Sequence, residues 1–203
     1  MKKVLCAAIL SLLSFNISAQ VALNTEGQDP QYVETIKGRA QKIVDGLGLT
    51  DATKAENVRN IIANRYFLLN DIHSKYDKGQ QAERDAELYK HHFELASALA
   101  LYLTDEQIDA VKDGMTYGRL KRDYQAQLDM IPTLTDFEKQ QVLAWLKEAR
   151  EYAMDAADSK GKHFWFDKYR GRTNNWLSAR GYDLKKERDN WMKRIEEQKV
   201  KQP

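Results

Sequence analysis

Three of the four tryptophans, eleven Lys or Arg and only four acids fall in the stretch Lys160 to Arg194, KGKHFWFDKYRGRTNNWLSARGYDLKKERDNWMKR. These residue types suit recognition of a polar ligand with flat apolar faces. Aromatic rings lie against the apolar sides of pyranose rings, and guanidinium and carboxamide groups present several planar donors and acceptors to hydroxyls or carboxylates. At about 100° per residue, Trp165, Tyr169, Arg172, Trp176 and Arg180 fall on one helical stripe, with Phe166 and Leu177 at its edge. Arg170, Asp167 and Asn174 form a separate polar face. The candidate ligand-binding residues are therefore Trp165, Tyr169, Arg170, Arg172, Asn174, Asn175, Arg180 and Tyr182. The competing reading is that the stripe is a core face with arginine stems lying along its rim. Two adjacent amides at Asn174 and Asn175 cannot both point into a core.

No catalytic residue is assigned, because nucleophile elbow, phosphate loop and dinucleotide glycine pattern are all absent. Asp113 and Asp167, the latter near His163, are carboxylates that folding could bring together. The histidines are His73, His91, His92 and His163, without an HExxH pair. Glu87, His91 and Glu94 share a helical face, but a solvated charged face explains them equally, so neither metal nor cofactor is expected.

The termini bound the compartment. Met1 to Ala19 has a basic entry at Lys2 and Lys3, an apolar run from Val4 to Phe15 and a small-residue end, the pattern of a cleavable secretory leader. Cys6 lies too early in the run to be a lipidated cysteine. A periplasmic or extracellular protein follows, without membrane insertion, since no later segment is apolar enough to span a bilayer. Cleavage leaves 30 basic against 30 acidic residues and no cysteine. Stability must then come from packing. A neutral exported chain argues against nucleic acid as partner. Lys160 to Arg194 carries net +7 and the remainder compensates. That asymmetry predicts either an anionic partner or internal docking.

The elements that would position these residues are helices. Apolar positions recur at three and four throughout, only three prolines occur, and no hairpin signal is present. The expected fold is all-α, a compact multi-helix bundle of about six to seven helices, residues 20–203 forming one domain behind the leader at 1–19. Asp29-Pro30 opens the first helix. Thr50-Asp51 opens the second, a third runs from Gln80 to Tyr102, and Thr104-Asp105 opens a fourth. Arg119 to Met130 follows, and a long helix from Thr135-Asp136 ends near Gly161. Leu-Thr-Asp occurs three times, at Leu49 to Asp51, Leu103 to Asp105 and Leu134 to Asp136, each time as a helix-capping device. Gly171 leaves open whether the basic helix bends.

KYRGRTNNWLSARGYDLKKE (Lys168 to Glu187), VKDGMTYG (Val111 to Gly118), MIPTLTDFEKQQVLAWLKEAREYAMDA (Met130 to Ala156) and LLNDIH (Leu68 to His73) together resemble a family of secreted, all-helical proteins of polysaccharide-degrading Bacteroidetes. That family is carried as a domain of unknown function with sugar binding as its suggested role. The resemblance implies a sugar-binding role; with the aromatic and arginine stripe, whose guanidinium groups suit an acidic sugar, the expectation is a monomeric or weakly associating helical protein that binds carbohydrate. Leu103 to Gln107 (LTDEQ) is similar to the LT-x-x-Q motif of periplasmic stress chaperones of the CpxP and Spy type, which implies a chaperone or stress sensor as the alternative. An enzyme acting on acidic polysaccharide is the third reading.

Overall fold

A computed structural model describes residues 20–201, so the leader read at Met1 to Ala19 lies outside the described residues. Nine helices and no strand occur among them: α1 Pro30–Asp45, α2 Ala52–Lys75, α3 Gln81–His91, α4 Glu94–Leu99, α5 Asp105–Met115, α6 Arg119–Met130, α7 Asp136–Met154, α8 Ser159–Ala179 and α9 Leu184–Lys201. The all-α expectation holds, with more and shorter helices than anticipated.

The starts follow local chemistry. Asp29 accepts from the Tyr32 amide at 2.8 Å, ahead of Pro30. Thr104 and Thr135 cap α5 and α7, each closing a reciprocal capping box with Gln107 or Glu138. The first Leu-Thr-Asp works one position later, with Asp51 as the cap of α2. Leu103 and Leu134 are buried beside their caps.

Two boundaries differ from the sequence reading. The helix expected over Gln80 to Tyr102 breaks at His92 and Phe93, where the His92 imidazole turns inward to Asp155, 2.6 Å from its Nδ1. The helix expected to run to Gly161 ends at Met154, and the Asp158 carboxylate then accepts from the Gly161 amide at 2.7 Å to start α8. α8 continues straight through Gly171, which is exposed with nothing within 4 Å of a would-be Cβ. Buried Phe166, Tyr169, Thr173 and Leu177 on either side hold the helix and outweigh the roughly 1 kcal/mol helical cost of one glycine.

The helices form two packed groups. α1, α2, α4 and α5 enclose one core around Ile36, Val44, Ile62, Leu99, Val111 and Met115, and α6, α7 and α8 enclose another around Leu120, Val142, Leu146, Ala149 and Phe166. Between them runs a polar seam. Arg150 of α7 donates to Asp113 at 2.7 Å and to Asp109 at 2.6 Å, and Arg65 of α2 reaches Asp155 at 2.5 Å. Lys112 joins Glu151, and the buried Lys162 of α8 donates to the Met115 carbonyl at 2.9 Å. Buried charges persist only when paired in this way. The seam docks the second half on the first, with His92 and Glu151 also in ion-pair contact.

Candidate functional site

The register of α8 decides which of its residues meet solvent. Lys162, Phe166, Tyr169, Thr173 and Leu177 are buried, at the three- and four-residue spacing of an inward face. The aromatic and arginine stripe is displaced from that face and lies along the contact with α7. There it forms a ladder. Trp165 stacks on Tyr152 with centroids 4.5 Å apart, and Trp176 meets Trp145 edge to face at 5.2 Å. The Arg172 guanidinium covers Trp145 at 4.7 Å, and that of Arg180 covers Trp176 at 4.9 Å. Each ring is faced by a neighbouring ring or cation, a stable arrangement for half-exposed aromatics.

The opposite flank of α8 borders a cleft of about 550 Å³ whose other walls are α6 and α9, with α7 as its floor. The floor is apolar, made by Val142 and Leu146, and Trp191 and Leu184 of α9 add further apolar surface. Two carboxamides face each other's territory: Gln127 from α6 and Asn174 from α8. The Gln127 Nε2 donor and the Asn174 Oδ1 acceptor are buried and have no hydrogen-bond partner among the described residues. Gln127 is only 8% exposed, which makes its unmet donor costly, on the order of 1–3 kcal/mol.

Charge at the cleft is divided. Asp123 accepts from the Arg119 Nε at 3.0 and 2.9 Å, and Arg170 pairs with Asp167 at 3.2 Å. Arg188 on α9 forms no ion pair among the described residues and leaves a cation open at the rim.

Of the eight residues expected to bind ligand, Arg170 and Asn174 line this cleft. Trp165 and Arg172 belong to the ladder, where Arg172 also meets Glu148 at 3.4 Å. Tyr169 is buried, and burial together with the nearby Glu148 carboxylate raises its phenol well above the ordinary value. Asn175 is exposed on the outer surface. Arg180 and Tyr182 both turn to Glu138, at 2.7 and 2.8 Å, and tie the α8 to α9 turn to the N-terminus of α7. The hydrogen bond from Arg180, followed by those from Thr135 and Tyr182, holds the Glu138 carboxyl down at about 2.

Sequence reasoning passed over Gln127, Asp123, Arg188 and Trp191 as a set. Gln127 had a readable signal: seven residues after Leu120, it sits at a core register of an amphipathic helix, where a carboxamide is out of place. The cleft itself depends on how α9 folds back and has no local signature.

The other candidates are dispersed. Asp113 pairs with Arg150, whereas Arg119 joins Asp167 at 2.8 Å and the His163 Nδ1 at 2.9 Å, so the two carboxylates serve different arginines. Glu87 is taken by Lys75 and by the Tyr76 hydroxyl, and His91 contacts Glu94 at 2.9 Å. Among the described residues no group of three or more potential metal ligands occurs, and no helix is long and apolar enough to cross a membrane.

Fold and site thus define an all-helical protein with an open, apolar-floored and amide-lined cleft between α6, α8 and α9. The chain belongs to the family described as Protein of unknown function (DUF3826), whose model matches residues 33–84 and 78–197 and so takes in every cleft residue. No curated protein matches the chain.

Proposed function

We propose that this is a carbohydrate-binding protein that takes a saccharide unit in the α6–α8–α9 cleft. The observation that carries the reading is the pair of buried, unpartnered amide atoms, Gln127 Nε2 and Asn174 Oδ1, above an apolar floor. A sugar hydroxyl both accepts and donates, so adjacent hydroxyls satisfy both atoms once the two carboxamides rotate toward the cleft, while the C–H face of the ring rests on Val142, Leu146 and the Trp191 indole. Arg188 offers a carboxylate-bearing sugar its charge partner. The leader pattern in residues 1–19 agrees with an encounter outside the cytoplasm.

Calorimetric titration with a panel of neutral and uronate-containing oligosaccharides tests the proposal. Saturable binding is expected, abolished by Gln127→Leu, Asn174→Leu or Trp191→Ala and unchanged by Arg172→Ala. Failure of every oligosaccharide to bind, or equal binding by the cleft variants, overturns it. Preferential weakening of the uronate ligands in Arg188→Ala marks the acidic class.

A further inference from the structure

A second cleft, of about 480 Å³, opens between α1, α5 and Tyr66 of α2, and it shares no lining residue with the α6–α8–α9 cleft. Its walls are largely apolar, with Ile43 and Leu47 on one side and Ala110 on the other. Gly114 allows the close approach, because a Cβ there would stand 2.9 Å from the Ile43 Cγ1.

The charges around this cleft are one-sided. Arg39 and Lys42 line it, both exposed, and neither forms an ion pair among the described residues. The Arg39 guanidinium lies 5.4 Å from the Tyr66 ring centroid, and the Lys162 ammonium lies 5.6 Å from the same centroid. Lys162 is 4% exposed, and its hydrogen bond goes to a carbonyl with no carboxylate in ion-pair range. Burial, and then the positive charge of Arg39, lower this ammonium to about 8. Tyr66 is 8% exposed, and its hydroxyl has no hydrogen-bond partner among the described residues. Cations collected about one ring repel one another; the Asp155 carboxylate offsets this at Lys162 only in part, and an anion at the cleft would offset it further.

The mouth adds a second kind of observation. Tyr117 adopts φ 61°, a left-handed backbone that a bulky side chain rarely takes, and Gly118 beside it also has φ 61°. The conformation leaves the Tyr117 ring at the cleft, 48% exposed and 5.8 Å from His163. Strained backbone of this sort gathers at binding sites, where the surrounding fold over-determines it.

We propose that this second cleft binds an organic anion with a flat apolar body, the anionic group meeting Arg39 and Lys42 and the body lying among Ile43, Leu47 and the rings of Tyr66 and Tyr117. The site is independent of the saccharide cleft.

The probe is 2-naphthoate, titrated calorimetrically into the purified protein, with the neutral 2-naphthamide as comparator. The carboxylate is expected to bind saturably at one site and the amide roughly tenfold or more weakly, a factor that corresponds to about 1.4 kcal/mol. The exposed double substitution Arg39→Gln/Lys42→Gln, which leaves the core intact, is expected to weaken 2-naphthoate to the level of the amide. Ala110→Trp, which fills the cleft, is expected to remove binding, and Trp191→Ala to leave it unchanged. No binding of 2-naphthoate, equal affinity for the amide, undiminished binding by the double variant, or loss of binding in Trp191→Ala overturns the assignment.

Discussion

The two flanks of α8, one aromatic and cationic and the other polar, differ also in what surrounds them. On the α7 flank, Trp165, Arg172, Trp176 and Arg180 alternate with Tyr152, Trp145 and Phe137, so every ring has a ring or guanidinium against it. On the α9 flank, Asn174 and Gln127 line a cleft in which one Gln127 donor and one Asn174 acceptor remain unmet among the described residues. The lesson is that aromatic and cationic composition does not mark a binding surface. Unsatisfied polar atoms beside open apolar volume mark it, because a folded chain retains them at a cost that a ligand removes.

Phe166 lies fully buried beneath both flanks, and Phe166→Ala is expected to lower unfolding free energy by about 3–5 kcal/mol in denaturant titrations. A smaller loss would mean that the two flanks do not share one rigid support.

The polar seam, and not the cleft, should govern pH dependence near neutrality. Hydrogen bonds to Asp155 and then Glu151 raise His92 from its ordinary 6.5 to about 9. The folded state therefore favours the protonated ring. Its contribution is fully present below about pH 6.5 and lost as pH rises through 9. Thermal unfolding should show Tm falling from about pH 6.5 until, near pH 8, deprotonation of the buried Lys162, itself lowered to about 8, begins to act in the opposite sense, and His92→Gln should flatten the fall while leaving saccharide titrations intact. For Glu151, burial acts to raise the carboxyl, but the bonds from His92 and Lys112 prevail and hold it down at about 2. That stabilisation is present above about pH 4.5 and fades as pH falls toward 2.

A smaller effect of opposite sign separates the flanks most sharply. Asn174→Leu removes an unmet buried acceptor and is expected to leave stability unchanged or raise it by about 1 kcal/mol, while ending oligosaccharide binding. A destabilised variant would place Asn174 among the structural residues. Smallest is Arg172→Ala, expected to cost about 0.5–1 kcal/mol from a half-exposed cation on Trp145, without change in oligosaccharide affinity. Loss of affinity there would return the site to the ladder.

Legibility followed the range of the interactions. Asp29, Thr104 and Thr135 announce their helices because each cap bonds the amide three residues onward. The break at His92 was hidden, since its cause is Asp155, 63 residues away. Asn57, Asn60 and Asn64 also have their partners far away in the chain, 36, 39 and 42 residues off. In the structure Asn60 and Asn64 donate to the carbonyls of Val21 and Ala22, and Asn57 accepts from the Val21 amide, pinning the extended segment ahead of α1. For the binding residues, periodicity grouped Trp165, Arg172, Trp176 and Arg180, which share the ladder, but it also included Tyr169, which belongs to the buried face, and it could not say which neighbour would cover the rest. Arg170 and Asn174, read as the lesser polar face, are the ones left beside open space.

The sequence by itself determined the helices, most of their starts and the stripes along them, because propensity, capping and periodicity act within a few residues. Tertiary structure alone decided which stripe was consumed in packing and which bordered a cleft. That choice depends on α7 reaching one side of α8 and α9 folding back toward the other, through contacts such as Arg194 to the Asp129 carbonyl at 2.6 Å, which join positions 65 residues apart.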